Sequence, residues 1–299
     1  TVEIVDIAGL VKGASKGEGL GNKFLGNIRE TDAILHVLRC FDDGNVVHVD
    51  GSVDPIRDKE VIDMELQLKD LETVQARATK IKKAAQTGDK DAAKSYGFYE
   101  KVLAALESGQ SARAVELDDS EAVMMKELQL LTSKPVLYVC NVDEGSVVNG
   151  NAYVELVKKA AEAEGASIMV IGAAIEADIA ELETHEERAM FLEDLGLEEA
   201  GVAKLIRQAY ALLDLQTYFT AGEKEVRAWT FRRGYTAPQA AGVIHTDFQK
   251  GFIRAEVMKY DDFVALGSES AVKEAGKLSV EGKEYPVQDG DIMHFRFNV

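Results

Sequence analysis

Four short apolar runs rich in β-branched residues constrain this chain more than any other feature. They occupy residues 2–5, 33–40, 136–140 and 167–171. Each runs into a polar or glycine-bearing segment: Asp6-Ile7-Ala8-Gly9, Phe41-Asp42-Asp43-Gly44, Asn141-Val142-Asp143-Glu144 and Gly172-Ala173-Ala174. Continuous rather than alternating apolar character marks strands buried on both faces, as in a parallel sheet. Residues 152–164 carry apolar side chains at helical spacing and read as a helix between the third and fourth runs. In an open parallel sheet, ligands sit beyond the carboxyl ends of the strands. The Asp6, Asn141 and Gly172 segments are therefore expected on one rim.

The stretch between the second and third runs is too long for one crossover. Val61, Met64, Leu68, Leu71, Val74, Ala78, Ile81 and Ala85 alternate in steps of three and four, which is the seam of a helix pair. Thr87-Gly88-Asp89 breaks that helix, and Ala92, Tyr96, Tyr99, Leu103 and Leu106 define a return. An antiparallel helical hairpin inserted into an α/β domain follows, with basic residues toward its tip. Beyond a helical stretch at 198–213, residues 226–230, 252–257, 285–287 and 292–297 read as strands around a Pro-started helix at 237–241. That pattern fits a separate α+β module from about residue 215 onward.

The formal net charge of −18 is unevenly spread. Residues 175–200 hold ten acids against one base, whereas residues 77–101 hold seven bases against three acids. Overall acidity argues against duplex DNA as a partner, while the local basic patch suits RNA phosphates. No run approaches the roughly 18 uncharged apolar residues of a membrane span. Cys40 and Cys140 supply neither a disulfide framework nor a zinc-ligand pattern. With no secretory leader in the sequence, a cytoplasmic protein is expected. The chain opens without Met inside an apolar run, so it is expected to have lost its beginning.

Asp6 is a carboxylate able to hold a metal-bound water, and Gly9 lets a backbone N–H approach a phosphate oxygen closely. A lone DxxG marks an ordinary strand-end turn as readily. Gly13, Gly17, Gly19 and Gly21 suit either a mobile phosphate-sensing loop or a flexible linker. Asn141 is placed to fasten loops or meet a purine edge, with an Asx turn as the alternative.

IVDIAGLVKGASKGEGLGNKFLGNIRETDAILHVLRCF is similar to the third G-motif and switch II of the YchF subfamily of Obg-like translational NTPases. NVDE resembles that subfamily's altered fourth motif, where related GTPases carry NKxD. TYFTAGEKEVRAWTFRRGYTAPQAAGVIHTDFQKGFIRAE resembles its C-terminal TGS domain, a ubiquitin-like β-grasp. The resemblance implies a P-loop NTPase, G-domain-like sheet lacking its first elements over residues 1–56 and 132–213. It implies a helical insertion over 57–131 and a TGS domain over 214–299.

It also implies a Mg2+-dependent ATPase that binds GTP as well and associates with the ribosome, its large subunit, and rRNA or tRNA. Asp6 (through water to the metal), Ala8, Gly9 and Gly13 would face the phosphates. Asn141, Val142, Glu144, Gly172, Ala173 and Ala174 would face the base. Guanine offers N1–H and an amine to the NKxD carboxylate, whereas adenine presents an acceptor at N1. Glu144 in place of Asp and Val142 in place of Lys weaken that match, so ATP is expected to be preferred over GTP.

No G-x-x-x-x-G-K-[ST] occurs in these residues, so the chain by itself is expected to be inactive. Leu10 stands where a water-orienting Gln is common, and the resemblance transfers that task to His48, for which a packing role is the alternative. His36, inside a strand, reads as structural. Lys80, Lys82, Lys83, Lys90 and Lys94, with Arg232, Arg233 and Lys250, are candidate RNA contacts or a solvated helix face. Trp229 and Phe231 read as core first and stacking platforms second. The competing function is a non-enzymatic RNA- or ribosome-binding adaptor. A metabolic enzyme lacks a catalytic constellation here, with no GxSxG, HExxH or GxGxxG.

Overall fold

The computed structural model of the chain describes residues 2–7, 21–222 and 225–298, so Ala8, Gly9, Leu10 and Gly13 lie outside the described residues. The chain divides into two compact units, Ile4–Ile206 and, together with Thr1–Glu3, Arg207–Val299.

The first unit runs α1 (Gly21–Glu30), β1 (Ile34–Arg39), α2 (Pro55–Gln86), α3 (Lys90–Glu107), α4 (Asp119–Leu128), β2 (Val136–Asn141), α5 (Ala152–Glu164), β3 (Ser167–Ile171), α6 (Ala173–Glu181) and α7 (His185–Asp194). Helix α8 (Gly201–Leu212) carries the boundary between the units. Strands β1, β2 and β3 form a parallel sheet in that order. All but the last residue of β2 are buried, whereas edge strand β1 leaves Val37 63% exposed.

The expected strand at residues 2–5 does not form. Residues 2–7 are irregular, with Ile4 56% and Val5 52% exposed. A strand exists only through a ladder, and residues 2–7 pair with none of the described strands. Its β-branched composition signals propensity alone, which the missing neighbour overrides.

Asp54 caps α2 by accepting from the backbone N–H groups of Ile56 and Arg57, and Pro55 occupies the first turn, where its missing N–H costs nothing. The helix ends at Thr87, Gly88 turns with φ +99°, and Asp89 caps α3. Val74, Phe98, Val102 and Leu106 fill the seam between the two helices, joined by Met125 and Leu128 from α4. Buried Asp70 on α2 fastens the exit of this insertion. Its carboxylate accepts from the Leu131 N–H (2.8 Å), the Thr132 N–H (2.7 Å) and the Thr132 hydroxyl (2.7 Å). Burial pushes the Asp70 carboxyl up, against the pull of those three bonds.

The second unit contains β4 (Leu215–Ala221), β5 (Val226–Arg232), α9 (Ala237–Ile244), α10 (Thr246–Lys250), β6 (Phe252–Lys259), α11 (Tyr260–Leu266), α12 (Glu269–Glu274), β7 (Ser279–Glu281) and β8 (Asp291–Phe297). Its sheet order is β5-β4-β8-β6-β7, with β4 and β8 parallel and the other pairs antiparallel. Tyr218, Phe231, Val257 and Met293 form one face of the core with α9 residues Ala240 and Ala241. The strand expected at 285–287 reduces to a single bridge between Thr236 and Pro286. The bonds of that bridge come from the flanking residues, the Ala237 N–H donating to the Tyr285 carbonyl at 2.9 Å and the Val287 N–H to the Tyr235 carbonyl at 3.0 Å, and the partner segment turns into α9 directly after Thr236.

Replacing Asp70 by Ala strands three buried donors and is expected to destabilise the first unit by about 3 kcal/mol, measured by denaturant unfolding. A loss under about 0.5 kcal/mol would show that the clamp is dispensable.

Candidate functional site

The register Arg39↔Asn141↔Ile171 brings the carboxyl ends of β1, β2 and β3 to one edge. Two bonds stitch that edge. The Val142 N–H donates to the Ile171 carbonyl at 2.9 Å, and the Asn141 side-chain Oδ1 accepts from the Ala173 N–H at 2.9 Å. Asn141 thereby takes a donor that the start of α6 leaves without an intrahelical partner. Ala173 and Ala174 stand exposed beside it, and Gly172 is buried. A Cβ on Gly172 would stand 3.0 Å from Ile175 Cδ1, so a side chain there would crowd the turn. The structure thus brings Asn141, Gly172, Ala173 and Ala174 together.

Val142, expected to face the base, turns inward instead. It is only 4% exposed and packs with Leu38, Cys40 and Val154 in the sheet core. Burial of the isopropyl group is the more stable arrangement. What Val142 brings to the rim is the absence of a cation. Glu144 opens an exposed 3-10 turn, Glu144–Ser146. Asp6 is exposed, and among the described residues no hydrogen bond or ion pair joins it to Asn141 or Ala173.

The loop that carries His48 leaves the same edge after β1. Arg39 gathers it by donating to the carbonyls of Phe41 (3.1 Å), Val46 (3.0 Å) and Asp43 (3.2 Å). Asn151 fastens its start, donating from Nδ2 to the Cys40 carbonyl at 2.7 Å while its Oδ1 caps α5. His48 Nδ1 accepts from the Asp50 N–H at 3.2 Å, so the ring proton sits on Nε2 and is donated to Asp58 Oδ2 at 2.9 Å. Both ring nitrogens are engaged. Arg57 donates from Nε and Nη2 to Asp58 Oδ1 at 3.1 and 3.0 Å. The ligand atoms of His48, Asp50 and Asp58 lie within 4.8 Å of one another, a donor set of the kind that holds a divalent cation. Arg57, also 3.8 Å from Asp50, already supplies positive charge to both carboxylates.

Arg39, Arg57, Asp58 and Asn151 escaped the sequence reading. Only Asn151 had a legible signal, as a capping residue directly before a helical run. The basic candidates fall in two places. Lys80, Lys82, Lys83, Lys90 and Lys94 are exposed around the α2–α3 turn, and Arg232, Arg233 and Lys250 are exposed in the second unit. Arg233 pairs with Asp214 at 2.9 Å. Phe231 is buried and Trp229 half-buried, its ring covered by Arg227 at 4.1 Å and its Nε1 donating to Thr220. His36 sits half-buried against Tyr138, ring centroids 5.6 Å apart.

A family model, YchF-GTPase_C, described as "Protein of unknown function (DUF933)", matches residues 215–298. The ribosome-binding ATPase YchF of Haemophilus ducreyi is 57% identical over 299 residues, covering 100% of this chain and 82% of that protein. The chain belongs to the YchF family. The Bacillus subtilis ribosome-binding ATPase YchF is 55% identical over 99% of this chain and 81% of its own length. The structure of the Schizosaccharomyces pombe YchF GTPase superposes with a TM-score of 0.84 at 40% identity, covering 97% of this chain and 78% of that one. This YchF chain accordingly has the α/β fold expected, with a parallel sheet, a helical insertion and a C-terminal sheet domain.

Asn141→Ala removes the acceptor from an exposed helix start and is expected to cost about 1 kcal/mol. The Ala173 amide should exchange its hydrogen markedly faster; unchanged protection would mean that the side-chain bridge does not hold the rim.

Proposed function

We propose that this chain acts in ribosome-associated hydrolysis of a nucleoside triphosphate, with ATP preferred over GTP, as a molecular switch linked to translation or stress. The observation that carries this reading is whole-chain identity of 57% and 55% to proteins named ribosome-binding ATPases. The Asn141–Ala173 bridge supports it locally, since it gathers the base-facing segments at one sheet edge. Asn141 meets the purine, Glu144 disfavours the guanine pairing that a shorter Asp would make, and no lysine stands at position 142. Gly172, Ala173 and Ala174 supply backbone and small side chains against the base.

Asp6, with Ala8, Gly9 and Gly13, serves the phosphates. As an exposed carboxylate, Asp6 is of the donor type that Mg2+ accepts, and it would hold the ion through a water. The metal, when bound, neutralises phosphate charge. His48 orients the nucleophilic water, a task Leu10 cannot perform. For that, the imidazole exchanges its bond with the Asp50 N–H for a water, with Asp58 keeping the ring oriented through Nε2–H. The lysines at the α2–α3 turn, with Arg232 and Arg233, contact rRNA or tRNA on the large subunit, in the cytoplasm. Among the described residues no helix is long and apolar enough to cross a membrane.

These 299 residues contain no G-x-x-x-x-G-K-[ST], so hydrolysis by them alone is expected to be negligible. Ribosome binding without turnover in a hydrolysis-competent protein would favour the adaptor reading instead. Competition titrations should show ATP displacing a labelled nucleotide at lower concentration than GTP. Glu144→Asp, at an exposed position, should move the ratio toward GTP by about tenfold. A strong GTP preference in the unaltered protein would overturn the base assignment. In the hydrolysis-competent protein, His48→Ala is expected to lower turnover about 100-fold with nucleotide affinity unchanged. Equal turnover would remove His48 from the mechanism.

A further inference from the structure

A cleft of about 640 Å³ lies along the start of α2, walled by the end of α3 with the connection after it, and closed by the end of α5. That volume falls in the range of built binding sites. It is remote from the nucleotide rim. Asn151, next to the rim, starts α5, whereas Glu164 in the cleft ends it, and 13 helical residues span roughly 20 Å.

The cleft has two distinct parts. Its floor is ionic and mostly paired: the Arg113 guanidinium donates from Nη1 to the Thr132 and Lys134 carbonyls, though its Nε finds no partner among the described residues. Lys59, buried on α2, donates to Asp63 at 2.7 Å and to Glu164, and Glu164 also accepts from the Tyr138 hydroxyl at 2.9 Å. Burial alone would lower the Lys59 ammonium, but these carboxylates hold it above its ordinary range. The floor therefore remains charged, with its cations set largely against its own carboxylates and carbonyls.

The mouth differs. Met64 and Leu68, one turn apart on α2, are 58% and 44% exposed, and with Leu71 and Leu106 they form an apolar wall. Glu60 and Glu107 flank that wall, both exposed and in no ion pair among the described residues. Large apolar side chains left in water beside unneutralised carboxylates favour a guest with an apolar anchor and a flanking cation. Anionic guests, nucleic acid included, meet repulsion there.

We propose that this cleft docks a basic protein segment displayed on the ribosome, seating a Leu- or Met-type side chain against Met64, Leu68 and Leu106 with a neighbouring Lys or Arg against Glu60 and Glu107. The inference rests on the ribosome association proposed above and names the face and the kind of partner that association uses. Docking adds an anchored protein contact to the phosphate contacts of the lysine-bearing helix turn. A buried apolar anchor with a charged flank is the arrangement that concentrates binding energy at interfaces.

The test is co-sedimentation of the protein with purified ribosomes at fixed ionic strength. The double charge reversal Glu60→Lys/Glu107→Lys is expected to weaken binding tenfold or more. The same reversal would strengthen binding if ribosomal RNA met this face, so the sign separates the two partners. Met64→Ser/Leu68→Ser should weaken binding by a similar factor without changing charge. Matched thermal transitions verify that all four exposed positions leave the fold intact. If the double reversal folds poorly, the serine pair carries the test. Stronger or unchanged binding by the folded variants overturns the inference while leaving ribosome association standing. Absence of sedimentation by the unaltered protein overturns the ribosome reading and the inference with it.

Discussion

Strand β2 is the constraint on which the first unit depends. It is hydrogen-bonded along both edges and buried from Val136 to Cys140 on both faces. A one-residue slip would move every side chain of the strand to the opposite face, so its register is strongly specified. With the register fixed, Asn141 emerges at one place only, and its amide reaches the first N–H of α6. The rim is thus a consequence of a core strand rather than of loop chemistry.

The orientation of the inserted hairpin has a second, ionic origin. Lys59 on α2 and Glu164 on α5 are joined, and Tyr138 of β2 binds the same carboxylate. Three elements therefore meet on one charge pair whose ammonium is buried while the Glu164 carboxylate stays open to water. Water screens such a half-exposed pair, so it contributes little net stability and its value lies in geometry. Lys59 also has the Tyr138 ring 5.1 Å away, which adds a cation–π attraction. The cluster acts as a directional lock: apolar packing alone would tolerate a hairpin rolled about its axis, whereas a two-carboxylate cradle around one ammonium does not.

Legibility in the sequence followed the physics of each element. The helices at 55–86, 90–107 and 152–164 were readable because their apolar spacing and caps agree, as with Asp89 and the Thr87-Gly88 break. Strands β2 and β3 were readable as unbroken apolar runs. Residues 2–5 look the same by composition, yet strand formation is a property of pairs, and pairing is not written in a single run. Tyr285-Pro286-Val287 failed for the same reason, since its partner segment enters α9 directly after Thr236 and leaves room for one bridge only. Helices α4, α6 and α7 escaped because they are short and, in α7, lack any buried residue to set a period. At the site, Asn141 and Ala173 could be placed together from topology, since parallel strands share an end. The inward turn of Val142 could not, because residues at strand ends follow no alternation rule once the ladder stops. The Arg39, Arg57 and Asp58 contacts involve charged residues in loops, where spacing carries no geometric information.

The loop around His48 shows how the fold can hold a candidate catalytic group in reserve. In the described arrangement the imidazole is bound at both nitrogens, to Asp58 and to the Asp50 N–H, and its side chain is only 18% exposed. Freeing Nδ1 from the Asp50 N–H, with Asp58 still holding Nε2–H, forfeits one hydrogen bond worth about 1 kcal/mol net. A cost of about 1 kcal/mol leaves roughly one molecule in six with that nitrogen free. If His48 orients the water as proposed, a partner that stabilises the released form raises turnover by at most that factor of about six, since a nitrogen fully released cannot be released further. Acceleration well beyond that bound would have to come from a new group brought to the phosphates rather than from the loop.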